Sequence, residues 1–598
     1  MIDIAQAAQA ILIVSASVIG LALLFVGLGL GFHKLGRAGS VNADRILTSF
    51  WMGLAAAICL LQAWHLAFAV TRLVLGILAF ASAAGFWWNR AELSDFVKQG
   101  RRGAFVWILG GLAILAWVAN HAAGPATAVD SGIYHIQAIR WSMEYPAVLG
   151  LGNLNERLAF NASSLLYDAM LGGGGHLGNC LLVWMFFVRG LLSATRVASG
   201  AGLSACVFQL VLVAPVVAIT VSNGISSPTA DIPVVLVLFV AAMELYALLK
   251  TETPAHYDFV VVATLAALTI CLKSSAIIVA PILIAIALAL SFRTLPKDLL
   301  RTGLSSAVVA FALLVPWCLH GLLLSGYPMY PSRFGGIAAD WRLPAELANA
   351  SRVWVIAAAR NSTAPGFAWL PTWIRWISRE HWPSWSSGLL AVFLPVAVTC
   401  ALIVLSAADR KRRERTHDRG WWLVAGCAMA AIAWLVTAPS PRFGFAILWS
   451  LAAATAAQAA AVLQGASRRR LILPAAMALG FVAILFPLPD SSIVRGLARR
   501  LVVPPGPDHG LWPYPVAELS RFTTESGLTL LVPVNDSRCF DAPLLCTPYP
   551  APNLVLTRVL GRPKFVTHGA WRPMYWPNRD PAGREFLELL KSQTASAP

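Results

Sequence analysis

Hydrophobic positions along this chain run together instead of alternating or forming one-sided stripes. Fourteen apolar segments stand at 8–31, 48–68, 72–89, 103–120, 177–193, 201–221, 231–249, 258–272, 275–292, 302–324, 386–407, 421–437, 443–464 and 471–488. Most approach the roughly 20 residues that a helix needs to cross a bilayer. Two long polar interruptions break the series, at 121–176 and 325–385. Beyond about residue 490 the pattern changes. Prolines cluster in VVPPGPDHGLWPYP, then LTLLVPV, LVLTRVL and KFVTHG have the short β-rich form of strands, and REFLELLKS reads as a closing helix. The prediction is an all-α polytopic membrane protein with about 12–14 transmembrane helices and a small C-terminal α/β domain. Its order is N-terminal helices (1–120), a first large loop (121–176), a transmembrane core (177–324), a Trp-rich loop (325–385), C-terminal helices (386–489) and the small domain (490–598). The first span has no small-residue cleavage site before a polar mature region, so it reads as an anchor.

Composition strengthens the membrane reading. Hydrophobic residues make up 58% and charged residues 12%, and the mean hydropathy is +0.69, well outside the soluble range. The formal charge of +17 is scattered between apolar runs and forms no stripe. It therefore points to anionic membrane lipids and not to nucleic acid. One alternate set of connections collects Lys34, Arg37, Arg45, Arg101, Arg102, Arg196, Lys250, Lys297, the run DRKRRERTHDR and Arg468–Arg470. The positive-inside rule makes that set cytoplasmic. The N-terminus, both long loops and the tail then face the other side, the periplasm of a bacterial inner membrane.

That orientation gathers the unusual polar residues on one face. The first loop reads DSGIYHIQAIRWSMEYPAVLGLGNLNERLAFN from Asp130 to Asn161. In an α-helix starting at Asp130, the residues Asp130, Tyr134, Gln137 and Trp141 share a stripe. His135 lies one position off it. GLGNLNER adds a tight turn with Asn153 and Arg157. On the same side fall Asp231 at the end of SNGISSPTAD, Lys273 at the outer end of a short span, Tyr327 in SGYPMYP and Arg442 in APSPRF. Plainer readings stand beside these. Asp130 and Asp231 are also suited to capping helices, His135 to an interfacial contact, and Arg157, Arg442 and Lys273 to lipid headgroups. A charge inside a span is nevertheless expensive, which singles out Lys273. The seven tryptophans of the second loop are expected mostly in an interfacial belt, with one or two lining a groove.

No P-loop, GxGxxG, GxSxG or HExxH stands in a suitable context. A site on the outer face has no nucleotide pool, so group transfer there needs a donor delivered through lipid. A polyprenyl-phosphate-linked sugar meets that need. Lys273, Arg157 or Arg442 would neutralise its phosphate, and a glycan or lipid acceptor would give up its hydroxyl proton to a carboxylate, with Asp130 the natural base. An O-antigen ligase or polymerase would use the same side, and a flippase for a lipid-linked sugar is the alternative from another class. No cofactor is indicated; a divalent metal is left open. Seven of the nine cysteines lie in or beside apolar spans, whereas Cys539 and Cys546 close the short CFDAPLLC loop on the oxidising side, which favours a disulfide over a zinc pair.

An acidic residue in the first large external loop of a many-spanning chain resembles the GT-C superfamily of lipid-linked-sugar glycosyltransferases. The strings DSGIYHIQAIRW and GLGNLNERLAFN, together with SSPTAD, SGYPMYP, APSPRF and CFDAPLLCTPY, resemble a bacterial branch of polytopic membrane proteins. The resemblance implies a GT-C-like fold, an inverting hexosyl- or pentosyltransferase, Asp130 as catalytic base and a polyprenyl-phosphate monosaccharide as donor. Two features depart from the GT-C pattern: four spans precede the loop, and the acidic signature is a single Asp.

Overall fold

The computed structural model of the chain describes residues 4–36, 40–100, 104–126, 128–199, 203–222, 224–379, 386–407, 418–462, 514–568 and 588. The expected span at 471–488, Arg468–Arg470, nearly all of the basic run and the closing helix lie outside the described residues.

Thirteen of the fourteen expected spans fall on helices. The helices in chain order are α1 (Ile4–Leu35), α2 (Ala43–His65), α3 (Arg72–Trp88), the polar α4 (Arg90–Gly100), α5 (Ala104–Ala122), the short α6 (Ile136–Glu144) and α7 (Ser163–Met170), α8 (Gly175–Ser199), α9 (Leu203–Val221), α10 (Asp231–Lys250), α11 (His256–Leu272), α12 (Ala280–Thr294), α13 (Leu299–Ser325), α14 (Ala345–Arg360), α15 (Leu370–Arg379), α16 (Leu394–Ala407), α17 (Trp421–Thr437) and α18 (Pro441–Val462), of which α4, α6, α7, α14 and α15 lie outside the expected spans. Among the described residues, eight helical segments are long and apolar enough to span a bilayer, and five more are apolar but shorter. The protein is a multi-pass, mostly helical membrane protein.

Lipid is as apolar as Leu, so spanning helices associate by close contact and not by the hydrophobic effect. Glycine provides that contact where α1 meets α2 and α3. A methyl group at Gly29 would stand 1.7 Å from the Ser49 carbonyl oxygen, and one at Gly53 1.8 Å from that of Phe25. At the opposite end from the polar loops, ion pairs tie helix ends together. Arg196 grips both oxygens of Asp44 at 2.7 Å, Arg45 reaches Asp258 at 2.9 Å, Arg189 reaches Glu244 at 2.7 Å, and Lys250 pairs with Asp418.

The polar loops and the tail form one cap. The expected strands appear as β2 (Thr529–Pro533), β3 (Leu554–Val559) and β4 (Arg562–Thr567), and the structure adds β1 (Leu519–Thr523). They pair as two antiparallel hairpins, β1 with β2 and β3 with β4. A two-stranded hairpin cannot bury enough surface to stand alone, and these two share a core with both loops. Leu530, Leu554 and Phe565 pack with Trp141, Leu151 and Leu158 of the first loop and with Leu324, Leu343 and Leu347 near the second. Main-chain bonds join them as well, from Phe565 to Leu149 at 2.9 Å and from Phe540 to Gly132 at 2.9 Å. Cys539 and Cys546 are joined as a disulfide. The tryptophan belt is corrected. Trp369 and Trp373 are buried, while Trp354 and Trp376 line a cavity. Trp373 donates its ring N–H to the Pro439 oxygen, and Trp382 and Trp385 lie outside the described residues.

Candidate functional site

Asp130 sits where the first loop enters a helix, and the sequence makes that entry irregular. Residues Ser131–His135 form a π turn leading into α6. Two bonds to one carbonyl hold the turn: the Ser131 hydroxyl and the His135 Nδ1 both reach the Pro228 oxygen, at 2.5 and 2.9 Å. A proline carbonyl only accepts, so His135 carries its proton on Nδ1. The DSG string is thereby fastened to the SSPTAD string that ends in Asp231. Asp130 makes no capping bond, which removes the plainer reading of that residue.

A cavity of about 570 Å³ opens beside this junction. It is lined by Asp130, Tyr134, His135, Arg157, Asn161, Asp231, Lys273 and Arg442, all expected from sequence. Their charges alternate through contacts. Glu156 Oε1 lies 3.5 Å from Arg157 Nε, and Arg157 Nη1 lies 3.4 Å from Asp130 Oδ1. Arg442 Nη1 lies 3.0 Å from Asp130 Oδ2 and 4.0 Å from Asp231 Oδ2. Lys273 closes the row on Asp231. The Phe443 ring stands under two of the cations, 5.0 Å from Lys273 and 5.2 Å from Arg442, a favourable place for positive charge.

Arg442 starts α18, and its turn is held by two indoles. Trp373 donates to the Pro439 oxygen and Trp434 to that of Ser440, each at 2.9 Å. Lys273 occupies the extended residue between α11 and a single 3-10 turn at Ser274–Ile277. This break leaves its side chain at a helix end and not against lipid.

Three expected contacts are corrected. Gln137 donates to the Phe540 and Ala542 oxygens at 3.0 and 2.8 Å and so fastens the tail. A π turn inserts one residue into the helical ladder, which rotates later positions by about 100° relative to an α-helix. The stripe drawn from α-helical spacing therefore ends at Tyr134. Asn153 is buried and donates to the Trp341 and Phe565 oxygens. Tyr327 is buried and donates to the Leu343 oxygen at 3.1 Å; of SGYPMYP, Pro331 reaches the cavity. Asn161 lines the cavity but spends its amide inward, donating to the Trp317 oxygen and meeting His320 Nδ1 at 2.8 Å. Sequence reading did not single out Glu156, which also lines the cavity.

The electrostatics separate the two loop carboxyls. Burial pushes the Asp130 carboxyl up, but Arg442, His135 and Arg157 together more than offset it and hold it well below the usual carboxylate range. Asp130 is ionised. Burial pushes the Glu156 carboxyl up, and Arg157 offsets only part of that. Burial and the Asp130 charge push the Tyr134 hydroxyl up, so it remains a donor. Burial lowers His135 more than Asp130 raises it. Among the described residues, no three His, Cys, Asp or Glu side chains come together as a metal site.

A family model described as a domain of unknown function, DUF8201, matches residues 11–449. The chain belongs to the DUF8201 family. The match spans every residue of the ionic row from Asp130 to Arg442 and stops before the disulfide-bearing tail. No curated protein and no solved structure matches the chain.

Proposed function

We propose that this DUF8201 protein is an inverting glycosyltransferase that moves a sugar from a polyprenyl-phosphate donor to a hydroxyl of a cell-envelope glycan or lipid, with its site on the periplasmic face of the inner membrane. The observation that carries the reading is the ionic row inside a cavity with two unlike walls. Tyr134, Phe160 and Trp354 belong to the cap core on one side. Ile447, Trp434 and Phe443 belong to the membrane core on the other. A ligand with a polar head, an anionic joint and an apolar tail suits that order, and the volume is in the range of small-molecule sites.

The chemistry follows from the charges. The donor phosphate competes with the two aspartates for Arg157, Arg442 and Lys273, which bind it by charge-assisted hydrogen bonds. As the guanidiniums turn to phosphate, Asp130 loses the groups that hold its proton affinity down, so its affinity rises when donor is bound. The acceptor oxygen then attacks the anomeric carbon while its proton passes to Asp130. The bond from that carbon to the phosphate oxygen breaks, and its electron pair leaves with the phosphate, whose new charge the three cations offset. A single displacement inverts the anomeric centre. The test is transfer of radiolabelled sugar from polyprenyl-phosphate donors by the purified chain in lipid vesicles. Product of inverted configuration is expected, and no transfer across neutral hexosyl and pentosyl donors would overturn the proposal.

A further inference from the structure

Glu156 is the member of the row that the transfer chemistry leaves unused. It stands at the first residue of a 3-10 turn, Glu156–Ala159, beside Asn155, whose side chain accepts from the Arg157 main-chain N–H. Glu156 is only 4% exposed, yet it lines the cavity. One oxygen, Oε1, faces Arg157 Nε. The other, Oε2, is buried without any hydrogen-bond partner. Buried polar atoms are nearly always satisfied, so an orphaned carboxyl oxygen on a residue of the cavity wall singles Glu156 out as a candidate contact for a ligand group.

The surroundings give that group a chemistry. Ser351, whose hydroxyl meets the Tyr330 hydroxyl at 2.6 Å, lines the same cavity, as do the rings of Trp354 and Phe160. A hydroxyl and aromatic faces beside a carboxyl make a surface for a polyhydroxyl ring, with polar edges to bond and an apolar face to cover. We infer that Glu156, Ser351 and Trp354 form the subsite that reads the hydroxyls of the donor sugar, and that this sugar is uncharged. The inference rests on the lipid-linked donor proposed above. Burial pushes the Glu156 carboxyl up, and in either protonation state it keeps an oxygen that accepts from a sugar hydroxyl. A carboxylate on the sugar would meet a buried acid here, while Arg157 is already shared with Asp130.

The test measures binding to the full chain in detergent by calorimetry. The probes are farnesyl phosphate, the same phosphate bearing glucose, mannose, galactose or arabinose, and its glucuronosyl form. For the wild type, at least one neutral sugar is expected to tighten binding about tenfold over farnesyl phosphate, and glucuronic acid is expected to add nothing. Glu156→Ala should erase the sugar's gain while leaving farnesyl phosphate within about twofold, and Glu156→Gln, which keeps a donor and an acceptor, should retain most of it. Trp354→Phe and Ser351→Ala, which alter the subsite without touching the ionic row, should each reduce the gain and serve where Glu156→Ala does not fold. A gain intact in all four variants, an equal loss for farnesyl phosphate and its glycosides, or a wild type that prefers the glucuronosyl form would each overturn the subsite. A wild type that binds no isoprenyl phosphate at all would instead overturn the donor reading on which it rests.

Discussion

Arg442 places its Nη1 3.0 Å from Asp130 Oδ2, across 312 residues of chain, and a 3.4 Å contact from Arg157 occupies the other oxygen of the same carboxylate. An aspartate held by two guanidiniums is strongly ionised and, by itself, a weak base. Its usefulness as a base depends on something drawing those guanidiniums away, as the phosphate of the proposed donor would. Asp130→Asn keeps the shape and removes proton acceptance. Sugar transfer should fall at least about 10²-fold with expression unchanged. Farnesyl phosphate should bind the variant at least as well as the wild type, since a competing anion has gone. A fully active Asn variant would rule out the base.

The pair of Lys273 and Asp231 invites a double-mutant cycle. Lys273→Met leaves a buried carboxylate without its closest partner, and Asp231→Asn leaves the ammonium likewise. Each single change should destabilise by about 2–3 kcal/mol, below the fully buried range because both side chains keep some exposure. The double variant should recover much of that loss. Transfer should not recover, because the phosphate still lacks Lys273. Denaturation midpoints in detergent, read beside transfer rates, check both halves.

Glu156 gives a stability signature with a definite sign. Its carboxyl is raised in the folded chain, so the folded state binds more protons than the unfolded one at pH values above the ordinary Glu value of about 4.3. Stability therefore falls as pH rises from there through the folded value, then levels off. Glu156→Gln removes this dependence. The variant should match or trail the wild type in acid and gain on it as pH rises, measured as melting temperature against pH without ligand. Parallel curves would show that Glu156 is ionised when folded.

The disulfide acts on the site through the cap. Cys539 and Cys546 are seven residues apart, and the loop they close offers the Phe540 and Ala542 oxygens to Gln137. A loop so short contributes about 2–3 kcal/mol to the tail. Cys539→Ser with Cys546→Ser should lower transfer several-fold while the chain still inserts. Gly132→Ala should act alike with the bond intact, because a methyl there would stand 2.8 Å from the Phe540 ring. Full activity in both variants would separate the tail from the site.

Orientation is testable without activity. In a background freed of native cysteines, a single Cys at the exposed Ser40 or Glu252 should be shielded from an impermeant thiol reagent in intact cells. One at the exposed Arg333 or Glu525 should label once the outer membrane is permeabilised. The reverse pattern would place the cavity on the cytoplasmic side.

Span positions were legible because an apolar run needs no tertiary information to declare itself. Asp130, Asp231, Lys273 and Arg442 were legible for the converse reason: a charge beside such a run is expensive enough to demand a use. Gln137 and Trp141 were misplaced because periodicity assumes a uniform helix, and nothing in SGIYH declares a π turn. Asn153 and Tyr327 are ordinary polar residues whose partners are main-chain oxygens far along the chain, which no local pattern reveals. Glu156 was hidden because Glu-Arg is the commonest sort of surface pair. Its burial goes with the cap core, where the neighbouring Leu158 packs with Leu343 and Leu347, nearly two hundred positions later.

The alternating row also dictates an order of assembly. Arg157 follows Asp130 by 27 residues and Lys273 follows Asp231 by 42, so each aspartate meets a cation soon after it leaves the ribosome. Each aspartate thus has a cation of its own within the same stretch of chain. Arg442, at the head of α18, is translated last and touches both. The final described helix is therefore the clasp: without it the chain holds two separate pairs, and with it one continuous row.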